Sequence, residues 1–306
     1  MHSSGKKIGL IGSITHDVIT FPSGEKDSGL GGMLYPASVL CGLEKEVYLI
    51  ANLAEELSSP VRALLKDWPT INLEGVKMVP GRGNRVNLFY RREGERQEIL
   101  ESAVPPLEPE RVIDRLSGMD FLVLLMISGM DITLEDWNRV KEKAKCPVWM
   151  DVHSLALSPE LGKIRRYIPL PDWPEWAKGV DYLQANRQEA ACMMGCPDKD
   201  PAENEIAVFG ESVLKTGVRA FIVTLGEEGI LVLTSEGARK MKPDESAEVR
   251  DTTGCGDVFC AAASSRLEQG KDVWEAVRFG LKLASTAVGK AGIRETFKMT
   301  QELKIQ

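Results

Sequence analysis

Residues 251–257 read Asp-Thr-Thr-Gly-Cys-Gly-Asp, and the small and apolar residues that follow, as far as Ala263, predict a helix that begins near Asp257. The two glycines let the backbone approach a ligand closely, and the amides of a helix N-terminus favour an anion. A carboxylate in the first helical turn can be a helix cap. It also stands where phosphoryl transfer needs a base for the attacking hydroxyl. From these residues alone, catalysis and capping are equally good interpretations of Asp257.

Composition and charge exclude several classes of protein. The chain has 306 residues, of which 43% are apolar and 27% charged, as in an ordinary globular protein. The formal net charge is −7 and there is no basic block, so we expect no nucleic-acid partner. The longest apolar run, 121–127, is too short to span a membrane, and residues 1–7 lack the apolar core of a signal peptide. We therefore expect a cytoplasmic protein without a membrane partner.

Cysteine and histidine spacing argues against a fold that is held together by zinc or disulfides. The six cysteines include no CxxC pair, and the three histidines are far apart in the sequence. A cytoplasmic chain keeps such cysteines reduced, and a structural zinc site needs closer ligand spacing. Two common nucleotide-binding signatures are also missing, because the sequence contains neither GxxxxGKS/T nor GxGxxG.

Strands and helices alternate regularly from residue 108 onward. Strands are predicted at 121–127, 147–152, 180–184 and 219–224, and helices at 108–116, 133–144, 187–195, 202–216, 256–268 and 272–289. Together with an N-terminal strand at 7–14, this alternation predicts an α/β protein with a mostly parallel sheet covered by helices on both faces. Ligands of such sheets bind at the carboxyl ends of the strands.

A group of short segments interrupts this alternation near the N-terminus. Segments 76–79, 85–91 and 95–100, with a hairpin turn at 93–95 and a first part at 18–21, predict an antiparallel patch inserted into the α/β chain. The patch is either a lid over a site or a surface hairpin without a role. As a lid, its unpaired outer strands and apolar face predict a homodimer joined through it.

The segment 251–259, DTTGCGDVF, closely resembles the DTxGAGDxF signature of the PfkB family of ribokinase-like carbohydrate kinases. Further motifs follow in the order of that family, at Gly12–Asp17, Gly31-Gly32, Asn186–Glu189 and Thr224–Gly229. The resemblance covers nearly the whole chain. It implies a ribokinase-like three-layer sandwich with a mostly parallel central sheet flanked by helices. It also implies a single domain over residues 1–306, with lid strands inserted at about 18–30 and 72–101.

The same resemblance assigns the residues of phosphoryl transfer from ATP. Asp257 would deprotonate the acceptor hydroxyl, and the backbone amides of Gly254, Cys255 and Gly256 would form an anion hole. Asn186 and Glu189 would organise Mg²⁺ through water, although the pair also fits a helix-capping box. Further residues would line ATP or hold a monovalent cation such as K⁺; they are Thr224, Gly226 and Gly229 for ATP, and Asp251 for the cation. Without the resemblance, the segment 224–229 fits a strand followed by a tight hairpin, and Asp251 fits a residue that stabilises a turn.

On the acceptor side, the resemblance assigns Asp17 and the glycine pair Gly31 and Gly32 to substrate binding. Several positions depart from the family pattern. Pro36 stands where the family has Asn, 54–56 replaces a Gly-Asp pair, segment 126–130 lacks an acid, and Leu281 replaces an adenine-contacting polar residue. Most of these changes lie on the acceptor side, so ribose is not the expected substrate while phosphoryl transfer is retained.

Three functions therefore remain open. The first is an ATP-dependent kinase for a sugar or a sugar-like alcohol. The second is a nucleoside kinase of the same fold, for which Tyr35, Phe89 and Met126 could provide a platform for the base. The third is a nucleotide-binding regulator without turnover, which the altered acceptor side favours and an intact Asp257 disfavours.

Overall fold

The computed structural model describes residues 6–90, 96–243, 254–288 and 292–304. A large sheet of nine strands runs through the molecule in the order β13-β12-β11-β10-β9-β8-β1-β4-β5. Its strands are β1 (Lys7–Ile11), β4 (Glu46–Ala54), β5 (Ile71–Val79), β8 (Phe121–Leu125), β9 (Val148–Asp151), β10 (Tyr182–Asn186), β11 (Ala220–Thr224), β12 (Ile230–Thr234) and β13 (Gly237–Met241). The seven strands from β11 to β5 in this order pair in parallel. Strand β12 pairs antiparallel with both of its neighbours, β11 and β13, so β12 alone of the nine runs in the opposite direction.

Helices cover both faces of this sheet. They are α1 (Leu34–Gly42), α2 (Glu55–Leu65), α3 (Pro109–Leu116), α4 (Leu134–Lys143), α5 (Trp173–Ala177), α6 (Arg187–Met193), α7 (Glu203–Leu214), α8 (Cys255–Leu267), α9 (Val273–Ala287) and α10 (Gly292–Lys304), with short 3₁₀ turns at His153–Ala156 and Gly226–Glu228. The predicted α/β class, the mostly parallel sheet and the ribokinase-like layering are confirmed.

The central strand β8 shows why two helical layers are needed. All five of its residues are completely buried. Phe121, Val123 and Leu125 pack into a core with α1, α2, α8, α9 and α10, whereas Leu122 and Leu124 pack into a second core with α3 to α7. Successive side chains of a strand point to opposite faces, so a continuous apolar strand is stable only between two such layers.

A smaller sheet of four strands lies apart from the large one, in the order β3-β2-β6-β7. Its strands are β2 (Ile14–Thr20), β3 (Lys26–Gly32), β6 (Asn84–Tyr90) and β7 (Arg96–Ser102). Its outer pairings are antiparallel, but β2 and β6 pair in parallel, so the patch is mixed and not purely antiparallel. The hairpin turn predicted at 93–95 lies outside the described residues.

The expected start of the inserted strands at residue 72 is wrong. Residues 71–79 form β5, which pairs in parallel with β4 at the edge of the large sheet. Its register shifts beside Gly75, where a Cβ atom would lie 2.4 Å from the carbonyl oxygen of Leu49. The bulge breaks the alternation of the strand, which is why the sequence suggests only a short segment there.

One buried arginine attaches the small sheet to the loops at the carboxyl edge of the large sheet. Arg165 forms a salt bridge of 3.1 Å with Glu98 of β7, and its side chain is only 1% exposed. Its other nitrogen donates to the carbonyl oxygens of Ser128, after β8, and Ser154, after β9. The backbone beside it also pairs with β7, through Gly162 and Arg165. The β7 edge of the small sheet is therefore covered by the chain itself.

Candidate active site

The first turn of α8 begins with a glycine that no other residue could replace without strain. Gly254 is the N-cap and has a φ of 76°, in the left-handed region. A Cβ atom there would lie 2.7 Å from Cγ and Cδ1 of Tyr35, whose ring packs directly against this glycine. The helix is continued at once, since the amide of Val258 donates to the carbonyl of Gly254. The backbone at 254–256 thus forms the exposed end of a thirteen-residue helix.

Asp257 lies in this first turn and is 7% exposed. It shares the carboxyl edge of the large sheet with Asp151, at the end of β9, and Glu189, in the first turn of α6. Burial raises the pKa of the Asp151 carboxyl well above its usual range, and the negative charges of Glu189 and Asp257 raise this pKa further. Glu189 and Asp257, which come from two different helices, therefore both lie within electrostatic reach of Asp151.

Gln184 connects two of these elements. Its side-chain nitrogen donates to Oδ2 of Asp151 over 3.0 Å and to the carbonyl oxygen of Gly256 over 3.3 Å. The residue is buried in β10, where it is the direct neighbour of Asp151 on β9. Leu183 and Ala185 on either side pack into the opposite core, so alternation along the strand directs Gln184 toward α8.

Asn186 and Glu189 form a capping box at the start of α6. The Asn186 side chain accepts from the Glu189 amide over 2.8 Å, and the Glu189 carboxylate accepts from the Asn186 amide over 2.7 Å. The Asn186 side-chain nitrogen also donates to Glu189 over 2.6 Å. The capping interpretation is confirmed. The box holds both side chains at the carboxyl end of β10, where the charge of Glu189 acts on Asp151.

Thr224 ends β11 and is the register partner of Asn186 on the neighbouring strand. The chain then turns through Gly226–Glu228 into β12, closed by a hydrogen bond from Leu225 to Gly229. A side chain at Gly229 would collide with the carbonyl oxygen of Met241, at 2.1 Å, so this glycine is needed for the hairpin. Gly226 has a φ of 63° and no described atom lies within 4 Å of its Cβ position. Of the two glycines, Gly226 leaves open space for a ligand and Gly229 does not.

Among the residues predicted to bind substrate, Asp17 of β2 has its carboxylate directly over Gly31 of β3. A Cβ atom at Gly31 would be 1.9 Å from Oδ2 of Asp17. Gly32 has a φ of 63°, and a Cβ there would be 2.4 Å from the carbonyl oxygen of Ser13. Asp17 also lines a cavity together with Tyr35. Tyr35 therefore connects the surroundings of Asp17 with the start of α8.

The structure brings most of the predicted residues to one edge of the large sheet. Asp257, Gly254, Cys255 and Gly256 lie at the start of α8, with Asn186, Glu189 and Thr224 at neighbouring strand ends. Asp251 lies outside the described residues. Arg187, the next residue after Asn186, pairs with Glu228 over 2.5 Å, so its charge is already matched on the hairpin side.

Comparison with known proteins places this arrangement in a family. A model of the pfkB family of carbohydrate kinases matches residues 125–299, more than half of the chain. The chain belongs to the pfkB carbohydrate kinase family. Among its relatives, a ribokinase of Schizosaccharomyces pombe is 28% identical over 112 residues, which is 36% of this chain and 35% of that protein. The match thus spans about a third of that relative's length.

Two further comparisons extend over nearly the whole pfkB-family chain. A cytidine kinase of Thermococcus kodakarensis is 23% identical over 295 residues, covering 92% of this chain and 96% of that one. The structure of Arabidopsis thaliana ribokinase complexed with ribose and ATP has a TM-score of 0.77 at 20% identity, over 98% of this chain and 99% of that chain. At such identity the second comparison shows the shared fold.

Sequence reasoning missed two residues of this pfkB-family site, Asp151 and Gln184. Asp151 ends the otherwise apolar strand β9, and Gln184 is the buried polar residue in the middle of β10. A buried strand normally carries such a residue only where a partner satisfies it. The sequence contains that signal. However, the partners of Asp151 and Gln184 come from different strands and from α8, so the partners can be identified only once the order of the strands in the sheet is known.

Proposed function

We propose that this protein transfers the γ-phosphoryl group of ATP to a hydroxyl group of a sugar or a nucleoside. The observation that carries the proposal is the start of α8, where a left-handed glycine exposes the helix N-terminus and Asp257 follows in the first turn. A helix N-terminus favours a phosphate, and a carboxylate beside it can accept the proton of an attacking hydroxyl. Membership of the family and the fold shared with an ATP-bound ribokinase support the same chemistry.

Asp257 is the general base of this proposal. It takes the proton of the acceptor hydroxyl while the hydroxyl oxygen forms a bond to phosphorus and the bond to ADP breaks. The amides of Gly254, Cys255 and Gly256 would stabilise the negative charge on the transferred group. The contact of Gly254 with Tyr35 holds this backbone in place before any ligand binds, so little reorganisation is needed during transfer.

The carboxylates at this edge suit a divalent cation that is held through water, because no three acidic, histidine or cysteine side chains among the described residues are arranged to hold a metal ion directly. Besides burial, the charges of Glu189 and Asp257 raise the pKa of Asp151, so these acids lie near it. Mg²⁺ prefers oxygen ligands while it retains much of its water. Asn186 and Glu189 would hold Mg²⁺ through water. When bound, this ion neutralises charge on the ATP phosphates. A monovalent cation beside Asp251 stays a prediction, because that residue lies outside the described ranges.

The nucleotide would lie against the hairpin between β11 and β12. Thr224 ends the strand next to Asn186, and the open space at Gly226 lets ATP approach the backbone closely. Gly229 acts on this site indirectly, since its contact with Met241 shapes the turn. The acceptor would lie at the other end, against Asp17, Gly31 and Gly32.

A nucleoside acceptor is the second candidate within this proposal. The similarity to the Thermococcus kodakarensis cytidine kinase over nearly the full length of both chains favours it. A regulator that binds ATP without turnover is the third. Asp257 discriminates between the kinase and the regulator, because phosphoryl transfer requires this residue and ATP binding alone does not.

We also propose a homodimer joined through the small sheet. The edge strand β3 pairs only with β2 among the described residues, and Phe21, beside that sheet, is 38% exposed. The edge at β7 is unsuitable because residues 162–165 already cover it. Sedimentation velocity checks this point, and a monomer at every working concentration would contradict it.

The kinase proposal is tested by ADP release with Mg²⁺-ATP over a panel of sugars, polyols and nucleosides. With the correct acceptor, Asp257→Asn should slow turnover by about 100- to 10,000-fold while ATP binding, measured by calorimetry, is retained. Asp272→Asn is the matched control, because Asp272 caps the next helix, α9, by accepting from the Glu275 amide. Turnover that survives Asp257→Asn would refute the assigned base. ATP binding without turnover on any acceptor would support the regulator.

A further inference from the structure

A cavity of about 370 Å³ opens beside Asp17. It lies between the hairpin of β2 and β3, the helices α1 and α2, and the start of α10. One wall is Tyr35, the same ring that packs against Gly254 at the start of α8. The volume lies within the range of small-molecule sites. The cavity therefore joins the acceptor residue Asp17 to the place where the phosphoryl group would be transferred.

Most of the cavity wall is apolar. Beside Tyr35 it is formed by Ile19, Leu30, Leu64 and Ile293. A free sugar presents hydroxyl groups in every direction, and each hydroxyl that is buried without a hydrogen-bond partner weakens binding. These aliphatic side chains offer no such partners. The faces of a flat heteroaromatic ring carry no hydroxyl groups that would need hydrogen-bond partners, and they can pack against these side chains and the tyrosine ring.

The polar residues of the cavity are few and of opposite charge. Besides Asp17, they include Asp27 on β3 and Arg294 in the first turn of α10. A carboxylate accepts hydrogen bonds from an exocyclic amino group, and a guanidinium donates to a ring nitrogen or a carbonyl oxygen. Together they match the edge of a base that carries an amino group next to an acceptor.

Arg294 is available for such a contact. Its only described ion pair, with Asp67, spans 3.6 Å, and both side chains are more than half exposed. Exposed pairs of this kind add little to stability, so the guanidinium can turn toward a ligand at small cost. The carboxylate of Asp27 makes a local hydrogen bond to the amide of Ser28 and keeps a second oxygen for a ligand.

We infer that the acceptor is a nucleoside whose base carries an exocyclic amino group, bound with the base in this cavity and a ribose hydroxyl near Asp257. The inference rests on the proposed kinase function and names its substrate class. Asp17 then accepts from the ribose hydroxyls, Tyr35 and the aliphatic wall cover the base, and Asp27 and Arg294 read its edge.

The test compares cytidine, adenosine and uridine with ribose and myo-inositol, by turnover with Mg²⁺-ATP and by calorimetric binding. Three variants are compared with the wild type: Arg294→Gln, Asp27→Asn and Leu64→Trp, which fills the cavity. Arg294→Gln should raise KM for the amino nucleoside about tenfold, equivalent to about 1.4 kcal/mol, with KM for ATP unchanged. Asp27→Asn should reduce the preference for cytidine or adenosine over uridine. Leu64→Trp should abolish nucleoside binding.

Arg139→Gln is the matched control, since Arg139 of α4 is also an arginine at least half exposed, and it pairs with Glu110 of α3, away from the cavity. Arg294→Gln keeps the test decisive if Leu64→Trp fails to fold, because the side chain of Arg294 is 62% exposed. Nucleoside turnover that none of the three variants changes would overturn the cavity assignment.

Other outcomes separate this inference from the kinase proposal. Turnover of a sugar that depends on Asp257, with no binding of any nucleoside, overturns the inference and leaves the kinase proposal standing. Nucleoside binding weakened by Arg294→Gln, without turnover, supports the cavity assignment and counts against the kinase. Failure to bind ATP, sugars and nucleosides overturns both.

Discussion

Gln184 and Asp151 are direct neighbours on adjacent parallel strands, and a hydrogen bond of 3.0 Å joins their buried side chains. The same Gln184 nitrogen reaches the carbonyl oxygen of Gly256 in the first turn of α8. This arrangement holds the first turn of α8 against the end of β9. It also places a neutral donor beside a carboxylate whose ionised form is disfavoured by burial and by two nearby acids.

Replacing Gln184 should therefore destabilise the fold as well as the site. Gln184→Met keeps the length of the side chain but removes the donor to Asp151, at an expected cost of about 1–3 kcal/mol. Chemical denaturation measures this change. Gln269→Met is the control, because Gln269 is exposed at the other end of α8 and should leave the midpoint unchanged. Equal midpoints for both variants would contradict the proposed connection.

Gly254→Ala should destabilise the fold by more than the left-handed backbone angle of Gly254 alone predicts. Gly254 and Gly270 have similar φ values, 76° and 81°, but only Gly254 has a neighbour, the Tyr35 ring, near its Cβ position. Both alanine variants should lose about 1–2 kcal/mol from the left-handed backbone. Gly254→Ala should lose more, and should also lose phosphoryl transfer.

A double variant isolates the contact between these residues. Tyr35→Ala makes room for the new methyl group, so its combination with Gly254→Ala should be less destabilised than the sum of the single variants. Thermal unfolding of the four proteins completes the cycle. Strict additivity would show that the ring does not constrain Gly254.

The buried ion pair between Arg165 and Glu98 should hold the small sheet in position. Arg165→Met leaves Glu98 without its 3.1 Å partner and removes the donors to Ser128 and Ser154. Breaking a buried pair typically costs about 3–5 kcal/mol, and we expect a loss of that order in the free energy of unfolding.

Hydrogen exchange should locate the effect of Arg165→Met. Amides of β6 and β7 should exchange faster, whereas those of β8 should not change beyond the global loss of stability. The exposed pair between Arg139 and Glu110 provides the control, and Arg139→Met should have little effect. Uniform acceleration over the whole chain would contradict a specific attachment of the small sheet.

Three cysteines should resist alkylation in the folded protein. Burial raises the pKa of Cys41 and of Cys192 to about 12, and it raises the pKa of Cys260 well above its usual range. Because the thiolate is the reactive form, these thiols stay protonated and unreactive at pH 8. Iodoacetamide labelling followed by peptide mass spectrometry should modify them only after unfolding in urea. Equal labelling rates with and without urea would contradict their burial.

Local sequence was sufficient to predict the fold class and the glycine-rich start of α8. The apolar run at 121–127 predicts a buried strand, and β8 is completely buried. The DTTGCGD segment predicted the helix start at α8, where Gly254 is left-handed. Such features depend on neighbours within one turn or one strand, so the order of residue types is enough to predict them.

Features that depend on distant parts of the chain could not be predicted from local sequence. The sheet order places Gln184 beside Asp151, and the packing of α1 on α8 places Tyr35 against Gly254. The parallel pairing of β2 with β6, and of β5 with β4, likewise joins segments separated by a crossover. Side chains that are far apart in sequence meet only when strands and helices stack, because their mutual distance follows from register and layer packing and not from local propensity.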